Sequence, residues 1–201
     1  MYRRCAKRLF DVLISLCSLP FLLPIFLLVA LLIKMESRGP VFFRQTRCGR
    51  GEGTFTLLKF RSMKVDYAAE GKGFEPGSTR RITGVGTILR KTKMDEIPQI
   101  INVIKGDMSL VGPRPEVPAY IHLFPERWAV VRSVRPGITD PASVVFRNEE
   151  QLLANAVDPS VEYETKILPE KLDLYEKYVK EITFLGDMRI MVSTVYAVFF
   201  K

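Results

Sequence analysis

The chain has 201 residues, 47% of them hydrophobic, which allows one globular unit with its own core plus an appendage. Thirty Lys and Arg against 22 Asp and Glu give a net charge of +8, which indicates an anionic partner: a nucleic acid, a phosphorylated metabolite or an acidic membrane surface. Three scattered cysteines (Cys5, Cys17, Cys48) and one histidine (His122) argue against a disulfide framework, a metal centre built on either residue and a histidine-based triad. Reduced cytoplasm is the simplest compartment.

The first predicted element is an apolar run from Phe10 to Ile33 that is long enough to enter a bilayer and to stay attached as an anchor. Pro20 and Pro24 lie near its middle, where each removes a backbone hydrogen bond, so a break or kink in the membrane is expected there. Each arm is then short, since about 11 residues reach only about 16 Å into a hydrocarbon layer of about 30 Å.

Cations flank the apolar run at both ends, which predicts that both ends lie on the cytoplasmic side (Arg3, Arg4, Lys7, Arg8; Lys34, Arg38, Arg44, Arg47). We therefore expect residues 1–36 to form a re-entrant membrane hairpin of two half-helices. Residues 37–201 would then form a domain on the cytoplasmic face. An ordinary kinked single span is the alternative.

A β-hairpin is predicted next, with a strand near Val41 to Arg44, a glycine-rich turn from Gly49 to Gly53 and a second strand from Thr54 to Phe60. Lys59 and Arg61 alternate with Phe60 and would share one face, where they could bind phosphate or simply form a solvated basic face. Residues 65–81, which include Arg80 and Arg81, are polar and glycine-rich and predict a mobile loop. This loop is a candidate lid.

The stretch from residue 91 to residue 115 concentrates charge beside a short apolar helix. After a short helix over residues 87–91, we expect a second helix to begin near Asp95 and to stop at Gly106, because Pro98 is tolerated only in a first turn. Asp95 and Glu96 at a helix N-terminus suit a site that handles a phosphoryl group with a divalent ion, although a solvated helix start is the plainer interpretation. Arg114 is restrained between two prolines.

Beyond residue 115 the pattern predicts mainly helices. Tyr120, Phe124 and Trp128 lie four residues apart on a helix interrupted at Pro125, which favours core packing, with a membrane-interface role as the alternative. Residues 135–139 are expected to form a turn and residues 141–146 a short strand that ends before Arg147. A charged helix in two pieces around Pro169 over residues 162–180 and a core or interfacial helix over residues 187–201 complete the chain.

Several of these segments together resemble a known family. The basic N-terminus with its proline-broken apolar segment is followed in order by GPVFFRQ, KFRSM, KTKMDEIPQIINVIKGDMSLVGPRP, RPGIT and FRN. This order is similar to that of the monotopic phosphoglycosyl transferases, the small bacterial sugar transferases that start glycan assembly on undecaprenyl phosphate. The resemblance implies an α+β, mostly helical fold, with a re-entrant membrane helix, a short β-hairpin and amphipathic interfacial helices.

The resemblance also implies a reaction. A phosphosugar would pass from a UDP-sugar to polyprenol phosphate with release of UMP, through a covalent intermediate on Asp95, and with Mg²⁺ as cofactor. Asp95 and Glu96 would be the catalytic and metal-binding pair, and Glu96 would organise the metal or the acceptor. Arg114 and Arg147 would bind phosphate or nucleotide, with Lys59, Arg61 and Arg81 as supporting residues.

The implied setting is the cytoplasmic face of the bacterial inner membrane, with membrane lipids as partners, a possible homodimer and no nucleic acid. Two departures from the family pattern stand out: Leu23 rather than serine precedes Pro24, and Asp140-Pro141 follows RPGIT. Two other functions remain open at this level. A basic membrane-anchored scaffold would use the Asp95-Glu96 pair only as a helix cap, whereas nucleic-acid binding would explain the charge but not the anchor.

Overall fold

The computed structural model describes residue 2, residues 6–65 and residues 81–200, with residues 144, 150, 151 and 198–200 described by their backbone alone. The predicted lid loop, with Arg80, lies almost wholly outside the described residues. The described chain is mostly helical. Its α-helices are α1 Lys7–Glu36, α2 Gly84–Lys91, α3 Gln99–Lys105, α4 Pro125–Val131, α5 Pro141–Val145, α6 Glu149–Ala154, α7 Pro159–Glu162, α8 Leu168–Lys180 and α9 Phe184–Phe200. Its strands are β1 Phe42–Cys48, β2 Thr54–Phe60, β3 Ser109–Val111 and β4 Gly137–Thr139.

Helix α1 runs without interruption through Pro20 and Pro24. It is long and apolar enough to cross a membrane, and most of its large apolar side chains are exposed. The hydroxyl of Ser18 donates to the carbonyl oxygen of Ser15 at 2.8 Å, a side-chain contact of the kind expected in the turn before the first proline. The helical residues are therefore continuous where two separate half-helices were expected, and the path of α1 through a bilayer stays a prediction.

The predicted hairpin is confirmed. Strands β1 and β2 pair antiparallel from Phe42 opposite Phe60 to Cys48 opposite Thr54. The turn closes with a hydrogen bond from the Gly49 amide to the Gly53 carbonyl oxygen at 2.9 Å. Gly51 adopts a φ of 66°, which a glycine accepts without steric cost. Lys59 is the last residue but one of β2.

Strands β3 and β4 form a short parallel pair that the sequence did not predict. The expected turn over residues 135–139 is partly strand β4, and the expected strand over residues 141–146 is helix α5 instead. Asp140 explains the second error: its carboxylate accepts a hydrogen bond from the Ser143 amide at 2.9 Å, and Pro141 occupies the first helical turn. This N-cap overrides the strand propensity of the following valines.

Three hydrophobic clusters form the core. The first contains Tyr120 and Trp128 of the aromatic stripe, together with Leu168, Leu172 and Tyr175 of the α8 region. Trp128 is 2% exposed, so the core interpretation of the stripe is confirmed for these two rings and the membrane-interface alternative is wrong for them. The second cluster joins β2, α3, β3 and α8, and the third consists of Val29, Ile33, Phe60 and Leu89.

The C-terminal third contains the predicted helices, but the charged helix is divided before Pro169 and not at it. The charged helix is divided by a turn of π-helix over Tyr163–Ile167, and Pro169 then falls within the first turn of α8, where proline is tolerated. The predicted last helix is α9. It packs its Phe184 ring edge-on against Phe10 of α1, with the ring centroids 5.4 Å apart.

Candidate active site

The acidic pair lies in a 3₁₀ turn, Met94–Glu96, between α2 and α3. Helix α3 begins at Gln99, four residues later than predicted, and ends at Gly106 as expected, with a φ of 101°. Lys93, directly before the turn, has a left-handed φ of 56°, which is uncommon for a residue with a side chain. Met94 and Ile97 pack against the third cluster, and the turn buries both acids.

Glu96 is held by two cations from different elements. Its Oε1 accepts from Lys59 Nζ at 2.7 Å and from Arg114 Nη2, and its Oε2 accepts from Arg114 Nη1 at 3.2 Å. Burial alone would raise the pKa of Glu96, but Arg114 and Lys59 outweigh it and hold that pKa well below its usual range. Glu96 therefore stays ionised, and in turn it raises the pKa of Arg114.

Asp95 has the opposite environment. Its Oδ1 is buried and has no hydrogen-bond partner among the described residues. Burial raises the pKa of this carboxyl and the neighbouring Glu96 charge adds to the effect, while Lys59 partly offsets it. Adjacent carboxylates with pKa values pushed apart are typical of sites in which the two groups have different roles.

Lys59 and Arg61 have different partners, and their predicted roles in phosphate binding stay predictions. Lys59 contacts Glu96, whereas the Arg61 guanidinium donates to the carbonyl oxygens of Arg38 and Ser37, each at 2.8 Å. Arg61 is 5% exposed, and these bonds hold the chain that leaves α1. In the described structure, Lys59 therefore binds the acidic pair, and Arg61 binds the backbone just after the end of α1.

Arg114 is positioned by the parallel strand pair. The Gly112 amide donates to the Thr139 carbonyl oxygen at 3.0 Å, and the Gly137 amide donates to the Pro113 carbonyl oxygen at 2.9 Å. The two backbones approach so closely at Gly112 that an added Cβ would lie 2.5 Å from the Arg135 carbonyl oxygen. This contact and the flanking prolines fix the backbone from which Arg114 reaches Glu96.

The other two predicted arginines are not joined to the acidic pair by a hydrogen bond or ion pair within the described part of the chain. Arg147 lies in the turn between α5 and α6, and its buried Nη1 has no hydrogen-bond partner there. Arg81 directly follows the undescribed segment, and its carbonyl oxygen accepts from the Lys64 amide at 2.8 Å. Their substrate-binding roles stay predictions.

Two residues near the site were not assigned a role from the sequence. Asp140 is fully buried, and its charge acts on Arg114 as well as capping α5; burial raises the pKa of Asp140, and Arg114 opposes that shift. The signal for the cap was present, since Asp140 precedes a proline and lies three residues before Ser143. Gln99, 2% exposed, leaves its side-chain nitrogen without a partner among the described residues. Gln99 carried no such signal in the sequence.

The described side chains fit a magnesium ion that takes most of its ligands from substrate phosphate and water. Within residues 6–65 and 81–200 there is no group of three or more His, Cys, Asp or Glu side chains placed to hold a metal. The unpartnered Oδ1 of Asp95 offers one hard carboxylate oxygen. Mg²⁺ commonly binds through one or two carboxylates together with substrate phosphate oxygens and water, so a single available carboxylate is compatible with it.

The fold combines a helix that is long and apolar enough to cross a membrane with a buried acid pair, and comparisons with known proteins give the family. The sequence profile described as bacterial sugar transferase matches residues 2–201. The chain belongs to the bacterial sugar transferase family.

The names of similar proteins are consistent with this family. A protein of Aeromonas hydrophila named UDP-N-acetylgalactosamine-undecaprenyl-phosphate N-acetylgalactosaminephosphotransferase is 38% identical over 192 residues, which cover 94% of this chain and 42% of that protein. The exopolysaccharide production protein PSS of Rhizobium leguminosarum bv. phaseoli is 39% identical over 197 residues, covering 94% of this chain and 92% of that protein. The UDP-glucose:undecaprenyl-phosphate glucose-1-phosphate transferase of Escherichia coli is 33% identical, and this chain spans 40% of its length.

Proposed function

We propose that this protein transfers a phosphosugar from a UDP-sugar to polyprenol phosphate and releases UMP. A polyprenyl diphosphosugar is the product, which makes the reaction the first membrane step of glycan assembly. The family membership and the reactions named for the Aeromonas and Escherichia relatives support the reaction class. Residues 37–201 would contain the catalytic machinery.

The reaction proceeds in two displacements. A carboxylate oxygen of Asp95 attacks the sugar-linked phosphorus of the UDP-sugar, and the bond from that phosphorus to the bridging oxygen breaks so that UMP leaves with the electron pair. A phosphate oxygen of the polyprenol phosphate then attacks the phosphosugar on Asp95. The bond to Asp95 breaks and the free carboxylate returns.

The observation that carries this assignment is the difference between the two acids. Asp95 is buried, has an unpartnered oxygen and has a raised pKa, so an ionised Asp95 is poorly solvated and reactive. Glu96 is already neutralised by Lys59 and Arg114. No backbone amide among the described residues donates to either carboxylate, which counts against a scaffold protein that uses the pair as a helix cap.

Arg114 and Lys59 would bind the diphosphate of the donor. An incoming diphosphate competes with Glu96 for both cations, since guanidinium and ammonium groups bind phosphate oxygens as readily as carboxylates. The residues that would hold Mg²⁺ are Asp95 and, once Arg114 turns to the substrate, Glu96. When bound, the ion reduces the repulsion between an anionic nucleophile and an anionic substrate.

The contacts of α1 support a location on one face of a membrane. Near its start, the Arg8 guanidinium donates to the Val103 carbonyl oxygen at 2.7 Å, and near its end Glu36 accepts from the Gly84 amide at 2.6 Å. A helix that crossed the bilayer would place its ends about 30 Å apart on opposite faces. One globular body contacts both ends of α1, so a re-entrant path on the cytoplasmic face of the inner membrane fits these contacts better than a span.

The test is incubation of the purified protein with polyprenol phosphate, Mg²⁺ and a panel of UDP-sugars, followed by measurement of UMP. We expect UMP release with at least one donor. With the UDP-sugar alone, intact-mass measurement should detect one phosphosugar added to the wild-type protein. Asp95→Asn should form no adduct and should lose turnover by at least about 10³-fold, because the nucleophile is removed.

Glu52→Gln is the matched control, since Glu52 is an exposed carboxylate in the hairpin turn. It should keep wild-type activity. Absence of UMP with every donor would refute the proposed transfer, and full turnover by Asp95→Asn would refute the role of Asp95 alone.

A further inference from the structure

The end of α1 holds the half of the site that contains the acidic pair. The two carboxylate oxygens of Glu36 accept from the first two amides of α2, Gly84 at 2.6 Å and Val85 at 3.0 Å. Helix α2 leads through Lys93 directly into the turn that carries Asp95. An exposed side chain on the anchor therefore caps the helix that leads to the nucleophile.

Apolar contacts strengthen the same connection. Val29 and Ile33, on the last turns of α1, are 3% and 2% exposed and share a cluster with Phe60 and Leu89. Met94 and Ile97, on either side of the acidic pair, pack against this cluster. The turn that carries the pair thus rests on the C-terminal arm of α1.

The start of α1 holds the other half of the site. Asp11 is 3% exposed, and its carboxylate accepts from the Ser109 hydroxyl at 2.6 Å and from the Leu110 amide at 3.2 Å. Ser109 and Leu110 belong to β3, which continues through Gly112 into Arg114. The strand that presents Arg114 is therefore fastened to the N-terminal arm of α1.

We propose that α1 is a brace across the active site, with Glu36 positioning the nucleophile turn and Asp11, through Ser109, positioning Arg114. The two attachment points lie on opposite sides of Pro20 and Pro24, where the helix lacks two backbone hydrogen bonds. The shape of α1 at these prolines then sets how Arg114 faces the Asp95-Glu96 turn. The anchor is part of the catalytic architecture as well as an attachment to lipid.

The two attachments predict different kinetic defects, and this step rests on the proposed function. Glu36 acts on the nucleophile, so Glu36→Gln should slow adduct formation about tenfold while leaving donor affinity unchanged, because small displacements of a nucleophile are costly. Ser109→Ala acts on Arg114, so it should raise the half-saturating UDP-sugar concentration about tenfold. Ser109→Ala removes the same hydrogen bond that Asp11→Asn would weaken, so it tests the attachment even if Asp11→Asn does not fold.

The experiment is a rapid-quench measurement of adduct formation by the full-length protein in lipid nanodiscs with a UDP-sugar alone. If Glu36 and Ser109 act by positioning, their variants should change the rate constant or the half-saturating UDP-sugar concentration while the burst amplitude stays full. A merely structural role would lower the amplitude, which counts folded sites, and leave both constants unchanged. Glu52→Gln is the control that makes the same charge change in an exposed turn.

Hydrogen exchange on the same proteins tests the brace without using activity. Glu36→Gln should speed exchange of the amides at residues 94–99 and not at 110–114, and Ser109→Ala should do the reverse. If both variants match Glu52→Gln in exchange and in the two kinetic constants, the brace is wrong. If the wild-type protein forms no adduct but the two variants show this selective exchange, the proposed reaction is refuted and the brace stands.

Discussion

At the scale of single residues, two adjacent carboxylates have different surroundings, because only one of them is paired with cations. Glu96 has Lys59 and Arg114, and Asp95 has an unpartnered oxygen. The identity of the residues does not cause this difference, because both are carboxylates. It arises because a 3₁₀ turn directs neighbouring side chains to different surroundings. The result is one carboxylate that binds two cations and one that keeps an unpartnered oxygen.

Under the proposed mechanism, the raised pKa of Asp95 should make adduct formation pH-dependent. The reactive form is the carboxylate, so the rate should fall as pH drops through a pKa that lies above the ordinary value of 3.8. Lys59 lowers this pKa, so Lys59→Met should move the acid limb of the single-turnover rate to higher pH. Lys91→Met, which removes an exposed cation, should leave the limb in place. An unchanged limb in Lys59→Met would contradict the electrostatic argument.

Glu96 should dominate the stability of the site. Glu96→Gln leaves Lys59 and Arg114 without their counter-charge, which should cost about 3 kcal/mol in the free energy of unfolding at pH 7; the value is at the lower end for a buried pair because the Arg114 side chain is 34% exposed. The Glu96 pKa is depressed in the folded state, so its contribution is complete above pH 4.5 and is lost as pH falls through the folded value.

Chemical denaturation in detergent at several pH values measures this effect. The difference in unfolding free energy between wild type and Glu96→Gln should shrink below pH 4.5. Glu52→Gln should show no such difference at any pH. Equal stability of wild type and Glu96→Gln at pH 7 would show that the two cations do not depend on Glu96.

At the scale of elements, the parallel pair β3–β4 decides where Arg114 lies. The Gly112→Ala side chain would lie 2.5 Å from the Arg135 carbonyl oxygen and 3.0 Å from the Gly137 amide nitrogen, so the strands must separate. We expect a loss of about 2 kcal/mol in stability, as for overpacked cores, and a higher KM for the UDP-sugar because Arg114 moves. Gly53→Ala is the control, since its nearest neighbour would be the Arg50 carbonyl oxygen at 3.7 Å. Thermal unfolding and steady-state kinetics of both variants test the prediction.

Local signals predicted some elements and not others. The hairpin and the end of α3 at Gly106 followed from glycines that a turn or a helix end requires. Helix α5 was missed because valines favoured a strand, whereas the Asp140 cap and Pro141 favoured a helix. Strand β4 has only three residues, too few for a periodic pattern, and it depends on its partner β3.

At the scale of the whole molecule, contacts at both ends of α1 predict one-sided topology. A single cysteine replacing Lys34 and an N-terminal tag should both be reached by impermeant reagents only after the inner membrane is permeabilised. Lys34 is exposed and lies near the end of α1, so the replacement disturbs no contact of the folded domain. Labelling of one end in intact spheroplasts and of the other end only after permeabilisation would establish a membrane span instead.

The sequence by itself determined the family, the long apolar segment, the hairpin, and the presence of the acidic pair and Arg114. The segment, the hairpin and the pair are local patterns, and the family follows from several such patterns in a fixed order. Only the tertiary structure decided which acid is paired with two cations and which keeps an unpartnered oxygen. It also joined Arg61 to the chain that leaves α1 and brought the charge of Asp140 to bear on Arg114. These facts depend on contacts between distant segments, such as Lys59 with Glu96 and Asp11 with Ser109. Such contacts follow from how the helices and strands pack, and no local pattern encodes that packing.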